Sequence, residues 1–331
     1  MFKPQRRRTL AALGSAALAF ACGTAVANDS PDNYPTKAIR LVVPLPPGSP
    51  PDVLARVVSE RLQAAWGQPV VVENRPGATG MIGLDAVARS APDGYTMGIM
   101  FMTHTVLPSI FRSVTYDTAT AFSPVANLVW LYNVLVVHPS VEADSLQDLI
   151  AKARAKPGSL TYASGGNGSP AHLIGESFRQ MTGVDIQHIP YRGPAEALNG
   201  LLAGDTSMMF ATSSVAVPMV RAGKVKALAV TRPERFEVLT EVPTLEEAGL
   251  PGFAMREWEG VVAPAGTPPA IIERWNRELA RIMQEPEVRT SLEALGMQTA
   301  DANTPAEFEQ LIQSELSTWA EVIRRSGIEA S

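Results

Sequence analysis

Residues 39–56 read IRLVVPLPPGSPPDVLAR, and this stretch indicates the fold class. It starts with five β-forming residues, continues through a Pro/Gly loop and ends in an amphipathic segment that predicts a helix over residues 52–66. The same alternation of apolar strand, loop and helix returns over residues 70–101 and 145–231. Continuous apolar strands that alternate with helices are typical of parallel sheets covered on both faces. The sequence therefore predicts an α/β fold with open, mostly parallel sheets.

Two apolar segments are longer than a typical strand, residues 127–138 (NLVWLYNVLVVH) and 255–263. They separate two α/β units, which predicts a chain that crosses twice between two domains. We expect domain 1 to comprise residues 28–130 plus 256–331, and domain 2 to comprise residues 131–255. Ligands of open α/β sheets bind beyond the carboxyl ends of strands. The cleft is therefore expected between the domains, at the loops 44–51, 101–105, 164–169 and 190–194.

The first 27 residues have the pattern of a secretory signal peptide. Lys3 and the arginines at 6–8 precede an apolar run over residues 10–21, and Ala25-Val26-Ala27 is a small-x-small cleavage site. A membrane anchor is the alternative, but the run of 12 residues is short of the ~20 that a spanning helix needs. We expect cleavage after Ala27 and a periplasmic protein, with either Sec or twin-arginine export.

The composition narrows the class of protein further. The 331 residues are 46% hydrophobic and 18% charged, which excludes a disordered chain. Residues 1–27 hold four of the basic residues and no acidic one, so their removal takes the net charge from −5 to −9. A nucleic-acid partner is not expected from this balance. The sole cysteine, Cys22, leaves with the leader, so no disulfide or cysteine metal site is expected. We expect a soluble monomer.

The glycine-rich loop at residues 165–169 is the clearest candidate binding element. Residues 166–171 (GNGSPA) fit the G-x-G-x-x-A dinucleotide pattern between a strand and a helix, but the next strand ends HIPY without the expected acid. The feature that remains is a helix N-terminus, whose N–H groups attract an anion. A purely structural tight turn is the alternative.

The sequence predicts neither a metal site nor a catalytic group. The four histidines are at least 16 residues apart, so none forms a local zinc motif. No G-x-S-x-G elbow is present, and Ser164 and Ser169 lack an assigned third member for a triad. His172, in the first turn after the glycine-rich loop, and Thr103 with His104, at a strand end, are candidate ligand contacts. No cofactor is expected.

Eight motifs, in order along the chain, resemble the Bug family, the extracytoplasmic solute receptors of tripartite tricarboxylate transporters. They cover nearly the whole chain after the leader: IRLVVPLPPGSPPDVLAR (39–56), VVENRPGATGMIG (71–83), PDGYT (92–96), YASGGNGSPAH (162–172), HIPYRG (188–193), RAGKVKALAVT (221–231), VPTLEEAGLPG (242–252) and VAPAGTP (262–268).

The resemblance implies a two-domain periplasmic binding protein that holds a carboxylate-bearing ligand through loop backbone groups and bridging waters. It also implies closure on the ligand and delivery to membrane permease subunits or a sensor. An exported enzyme acting on a small organic acid in the same cleft is the alternative. Carried over by position, the implied ligand contacts are Leu45, Pro46, Pro47, Gly48, Ser49, Asp52, Gly165, Gly166, Asn167, Gly168, Ser169, His172, Tyr191 and Arg192.

Prolines distinguish this chain from the usual family pattern in both loops. Ser49 is predicted to be the N-cap of the first helix, which puts Pro50 and Pro51 at its first two positions, and Pro170 starts the helix after the glycine-rich loop. Proline lacks an N–H, so three potential anion donors are missing. We therefore expect an aromatic or other monocarboxylate whose apolar part packs on Pro50 and Pro51. Rigid helix starts without an effect on ligand choice are the alternative. The expected remaining donors are the N–H groups of Gly48, Ser49, Gly168 and Ser169, together with Arg192.

Overall fold

The structure, a computed structural model, describes residues 33–253 and 255–326. The predicted signal peptide at residues 1–27 lies outside the described residues. None of the helices in the described part is long and apolar enough to cross a membrane.

The first of two sheets has the strand order β11-β4-β10-β3-β1-β2. Strand β1 pairs in parallel with β2 and β3, whereas β10 runs antiparallel to both β3 and β4. The N-terminal end of β10 therefore lies at the same edge as the carboxyl end of β3. The strands are β1 (Ile39–Val43), β2 (Val70–Asn74), β3 (Thr96–Phe101), β4 (Phe122–Leu131), β10 (Glu257–Pro264) and β11 (Met297–Thr299).

The second sheet has the order β7-β6-β8-β5-β9. Strand β6 is parallel to β7 and β8, and β5 is antiparallel to β8 and β9. The α/β fold with two domains is thus confirmed, with an antiparallel strand inside each mostly parallel sheet. The strands are β5 (Asn133–Val137), β6 (Leu160–Ser164), β7 (Ile186–Pro190), β8 (Met208–Thr212) and β9 (Lys226–Val230).

The helices cover the faces of the two sheets, as the alternating pattern predicts. The helix after β1 starts after the N-cap Ser49 with prolines at its first two positions, which confirms that part of the prediction. The helices are α1 (Pro50–Trp66), α2 (Met81–Ala88), α3 (Thr103–Ile110), α4 (Leu146–Ala155), α5 (Pro170–Thr182), α6 (Pro194–Ala203), α7 (Ser213–Arg221), α8 (Pro269–Met283), α9 (Pro286–Ala294) and α10 (Pro305–Ser326).

The chain passes between the sheets at Tyr132 and again before Glu257. The apolar segment 127–138 is two strands, because the chain exchanges the hydrogen-bond partners of the first sheet for those of the second at Tyr132, whose carbonyl accepts from Ser213 N at 2.8 Å. The segment 255–263 forms a strand of the first sheet only, from Glu257. The domain limits, residues 28–130 plus 256–331 and residues 131–255, stay a prediction.

A cluster of aromatic side chains packs α1 and α8 against the first sheet. Trp275 of α8 is fully buried, and its indole N–H donates to the Tyr34 hydroxyl at 2.7 Å. Tyr34 in turn donates to the Gly94 carbonyl at 2.6 Å. Trp66, at the end of α1, packs edge-on against Trp275 with ring centroids 4.9 Å apart.

Contacts also join the two domains. Leu173 of α5 is buried in an apolar cluster otherwise formed by residues packed around the first sheet, Ile110 and Trp258 among them. Asn133 Nδ2, at the start of β5, donates to Glu257 Oε1, at the start of β10, at 2.7 Å. This hydrogen bond links the two segments at which the chain passes between the sheets.

Candidate functional site

A cavity of about 340 Å³ lies between the domains, where the carboxyl ends of β1, β3, β6 and β8 approach one another. This volume is within the range of small-molecule sites. Its walls are mainly apolar and rich in proline, and both domains contribute to them. The cavity is therefore at the place that the topology of open α/β sheets predicts for a ligand.

The loop after β1 and the start of α1 form one wall. Leu45, Pro46, Pro50 and Pro51 line the cavity. Of the other candidates in this loop, Pro47, Gly48, Ser49 and Asp52 are not among the lining residues.

Asp52 holds that loop in shape. It is buried, and its carboxylate accepts hydrogen bonds from Gly48 N at 2.8 Å, Asn74 Nδ2 at 2.9 Å and Arg56 at 2.9 Å. Burial by itself raises the pKa of Asp52, but the hydrogen bonds from Arg56, Gly48 and Asn74 outweigh burial and hold the pKa below its usual value.

The glycine-rich loop and the start of α5 form the opposite wall. Gly165 and Ser169 line the cavity, together with Pro170 and Ala171. The candidates Gly166, Asn167, Gly168 and His172 are not among the lining residues. Gly166 and Gly168 have φ values of +116° and +79°, a region that L side chains rarely adopt, so the loop needs glycine at both positions.

The four backbone donors expected from the sequence form hydrogen bonds inside their own loops, and their contact with a ligand stays a prediction. Gly48 N donates to Asp52 and Ser49 N to the Pro46 carbonyl, while Gly168 N donates to His172 Nδ1 at 3.1 Å and Ser169 N to the Gly166 carbonyl. These N–H groups form the hydrogen bonds that close the tight turns, so they already have acceptors before a ligand binds. Ala171 is the first residue of α5 with an N–H, and first-turn N–H groups have no intrahelical acceptor.

The remaining candidates lie at the cavity rim or behind its walls. Arg192 is exposed and lines the cavity, whereas Tyr191 directs its hydroxyl at Gly200 of α6. Thr103 lines the cavity at the start of α3. His104 follows it but is fully buried against the Phe101 ring, with centroids 4.1 Å apart, and burial lowers its pKa to about 4. The His104 ring is therefore neutral.

Sequence reasoning missed two glutamates that line the cavity, Glu257 and Glu259. Both lie at the start of β10, with Trp258 between them. Because side chains alternate along a strand, the spacing EWE places both carboxyl groups on one face, and this signal is present in the sequence. Other lining residues that were not predicted are Pro76, Gly77, Ala78, Thr79, Gly80, Phe101, Leu131, Gly193, Pro194, Met209, Phe210 and Thr212.

The two glutamates are in an environment that disfavours negative charge. Burial raises the pKa of Glu257 to about 7, although Asn133 donates to it. Glu259 is 4% exposed, and its Oε2 is buried without a hydrogen-bond partner among the described residues. Burial, and then the charge of Glu257, raises the pKa of Glu259 well above its usual value.

The raised pKa of Glu257 predicts how the free energy of unfolding depends on pH. The folded chain keeps the Glu257 proton up to about pH 7, whereas the unfolded chain releases it above the usual pKa of 4.5. The contribution of Glu257 to the free energy of unfolding is therefore fully present below pH 4.5 and is lost as the pH rises through 7. One such group gives a slope of up to about 1.4 kcal/mol per pH unit. Urea unfolding of Glu257→Gln should therefore show a gain over wild type that grows between pH 5 and pH 8. Glu60→Gln, at an exposed position, is the control; an equal gain at both pH values for Glu257→Gln would contradict the assignment.

A serine and a histidine meet next to the glycine-rich loop, but not as a nucleophile and its base. Ser164 Oγ is 2.6 Å from His188 Nε2 and also donates to the Gly166 carbonyl at 3.1 Å. Because the Ser164 hydroxyl donates to Gly166, its oxygen accepts a hydrogen bond from His188. The His188 ring is therefore assigned its proton on Nε2. Ser164 is fully buried and does not line the cavity, so its oxygen is out of reach of a bound acid.

In the part of the chain that the structure describes, no group of three or more His, Cys, Asp or Glu side chains could hold a metal ion.

Comparison with known proteins agrees with this geometry. The model of the tripartite tricarboxylate transporter family receptor matches residues 54–328. The chain is 38% identical to protein BugT of Bordetella pertussis, over 90% of this chain and 92% of that protein. Among solved structures, R. palustris Rpa4515 with adipate has a TM-score of 0.85 at 34% identity, covering 90% of this chain and 100% of the other. MatC from Rhodopseudomonas palustris with bound malate has a TM-score of 0.80 at 32% identity, covering 88% and 100%.

The two domains and the cleft between them define a periplasmic binding protein. The chain belongs to the receptor family of tripartite tricarboxylate transporters, and the resemblance to the Bug proteins is confirmed. This is a family of periplasmic solute receptors rather than of enzymes.

Proposed function

We propose that this protein captures a small organic acid in the interdomain cavity and presents it to permease subunits in the membrane. The start of α5 carries the proposal, because it offers an anion the first-turn N–H of Ala171 at the cavity wall, with Arg192 at the rim. The apolar walls, including Pro50 and Pro51, suit the hydrocarbon part of such an acid. Adipate and malate in the related structures support an organic acid as the ligand.

The proposal extends to the lining candidates from the sequence, Leu45, Pro46, Thr103, Gly165, Ser169 and Arg192, as ligand contacts. Gly166, Gly168, His172 and Asp52 shape the two loops through their conformations and hydrogen bonds. We further propose a monomer that is exported with loss of residues 1–27 and that turns over no substrate. Mass spectrometry of the exported protein and NMR of a bound acid over time test the last two points.

A thermal-shift screen of organic acids is the first experiment. A ligand at 100 times its dissociation constant adds about 2.7 kcal/mol to the free energy of unfolding, which is readily detected. If no carboxylate raises the melting temperature, capture of an organic acid is refuted.

The role of the α5 N-terminus has a specific test in Ala171→Pro. Helix α1 already carries prolines at its first two positions, so a second proline after Pro170 is compatible with a helix start in this fold. The substitution removes one N–H donor, and a hydrogen bond to a charged group contributes about 1.5–3 kcal/mol. Calorimetry should show acid binding at least about tenfold weaker than wild type.

Two variants separate the lost donor from other effects of Ala171→Pro. Ala195→Pro makes the equivalent change after Pro194 of α6, at an exposed residue that does not line the cavity, and should leave affinity unchanged. Ala171→Val adds bulk at the same place but keeps the N–H. Equal losses in Ala171→Val and Ala171→Pro would show that bulk, not the N–H, matters.

A further inference from the structure

Glu257 and Glu259 are unexpected in the wall of a cavity that binds organic acids. The charged side chains that line it are Arg192, on the second-domain rim, and Glu257 and Glu259, on β10 of the first domain. A dicarboxylate with one end at the start of α5 would direct its other end toward these glutamates. A second carboxylate at that end would be buried in a low-dielectric cavity beside two glutamates that supply no positive charge to compensate it.

Glu259 also has an unmet need for a hydrogen-bond donor. Its side chain is 96% buried, being 4% exposed, and faces the cavity, while Oε2 has no partner among the described residues. Glu257 differs, because Asn133 donates to its Oε1 at 2.7 Å. A buried polar oxygen without a partner is costly unless a ligand or water satisfies it.

Among residues 33–253 and 255–326, the neighbours of Glu259 do not supply that donor. In the sheet, Glu259 is paired with Phe101 of β3 and Val129 of β4, both with apolar side chains. The titratable group that faces it from its own strand is Glu257, which is a carboxyl as well. The arrangement therefore leaves the donor to be provided from inside the cavity.

Building on the proposed function, we infer that the ligand is a monocarboxylate with a protonated nitrogen at its other end, which donates to Glu259 while the carboxylate meets the start of α5. Such a ligand places a positive charge beside the two glutamates and a negative charge beside Ala171 N–H and Arg192. A dicarboxylate buries its second negative charge at the end of the cavity away from Arg192, the cationic lining residue, and a simple fatty acid leaves the Glu259 oxygen without a partner.

Matched linear acids test this inference. Chains of four to seven carbons are used with three ends opposite the carboxylate: methyl, ammonium and a second carboxylate, for example hexanoate, 6-aminohexanoate and adipate. At pH 7 the best ammonium probe should bind at least about tenfold more tightly than the methyl and dicarboxylate probes of equal length. In Glu259→Gln the preference for the ammonium probe over the methyl probe should fall to less than about threefold.

Proton exchange supplies a second readout. Binding of the ammonium probe converts neutral Glu259 into a carboxylate and releases a proton, which calorimetry in two buffers of different ionisation enthalpy detects. Glu259→Gln should lower that release to the part that Glu257 supplies, and Glu259→Met provides a second variant if the amide unfolds the protein. Tighter binding of the dicarboxylate, or an unchanged preference in Glu259→Gln, would overturn the inference while leaving capture of acids intact. Failure of all three series to bind would count against the proposed function itself, and the inference with it.

Discussion

Replacing Gly168 by valine is expected to weaken ligand binding by at least about 100-fold, or about 2.7 kcal/mol. Gly168 has a φ of +79°, and a Cβ at this position would lie 2.9 Å from Ile110 Cδ1 of α3, in the other domain. A branched side chain would therefore both strain the glycine-rich loop and hold the two domains apart. Calorimetry with the acid found by thermal shift measures the effect.

A second glycine controls for backbone strain. Gly183, which ends α5, has a φ of +64° and nothing within 4 Å of a built Cβ. Gly183→Val should cost stability and leave affinity unchanged. Adding Ile110→Ala to Gly168→Val should restore part of the binding. Full affinity in Gly168→Val alone would show that neither this glycine nor domain contact at Ile110 takes part in binding.

Trp275→Ala is expected to lower the free energy of unfolding by about 3–5 kcal/mol. The side chain is fully buried between α1 and the first sheet, and its removal leaves a large cavity and also removes the donor to Tyr34. Tyr34→Phe isolates the polar part, because it leaves the Trp275 N–H and the Gly94 carbonyl without their partner, at a cost of about 1–3 kcal/mol. Urea unfolding compares both variants with wild type. A loss under about 1 kcal/mol for Trp275→Ala would contradict the packing described.

Much of the fold follows from local sequence signals. The alternation of apolar strands and capped helices predicts α1 and α5 together with the strands before them, because Ser49 and Ser169 are followed by prolines that fix a helical φ. The break at Tyr132 could not be predicted in this way. The apolar pattern is continuous across it, and only the hydrogen bonds of two different sheets divide the segment.

Helix α3 shows a similar limit. Thr103 and Thr105 are poor helix formers and Pro108 lies inside the helix, so propensity favours a loop there. Burial of His104, Val106 and Leu107 overrides that preference. As a consequence His104, placed by the sequence at a strand end, is inside the domain and not in the cavity wall.

The candidate site, too, was predictable only in part from the sequence. Loop positions were predicted because they follow strand ends, but the sequence does not show which N–H groups the loops use for their own turns. Glu257 and Glu259 were within reach of sequence reasoning, since two acids at a spacing of two in an otherwise apolar strand are unusual. Their position in the cavity wall could not be predicted, because it requires that β10 runs antiparallel to β3 and so starts at the cleft.

Leu173 has a consequence for the balance between open and closed receptor. It extends from the second domain into the apolar cluster of the first, and burying a leucine side chain contributes about 1.5–3 kcal/mol. If the contact is lost when the domains separate, that contribution favours the closed arrangement even before cargo binds, and we expect closed molecules in the population at rest. A larger closed fraction raises the apparent affinity for cargo, because less of the binding free energy is spent on shifting the equilibrium. We would then expect overall shape alone to distinguish loaded from unloaded receptors poorly, and recognition by a membrane partner to depend on the cleft rim.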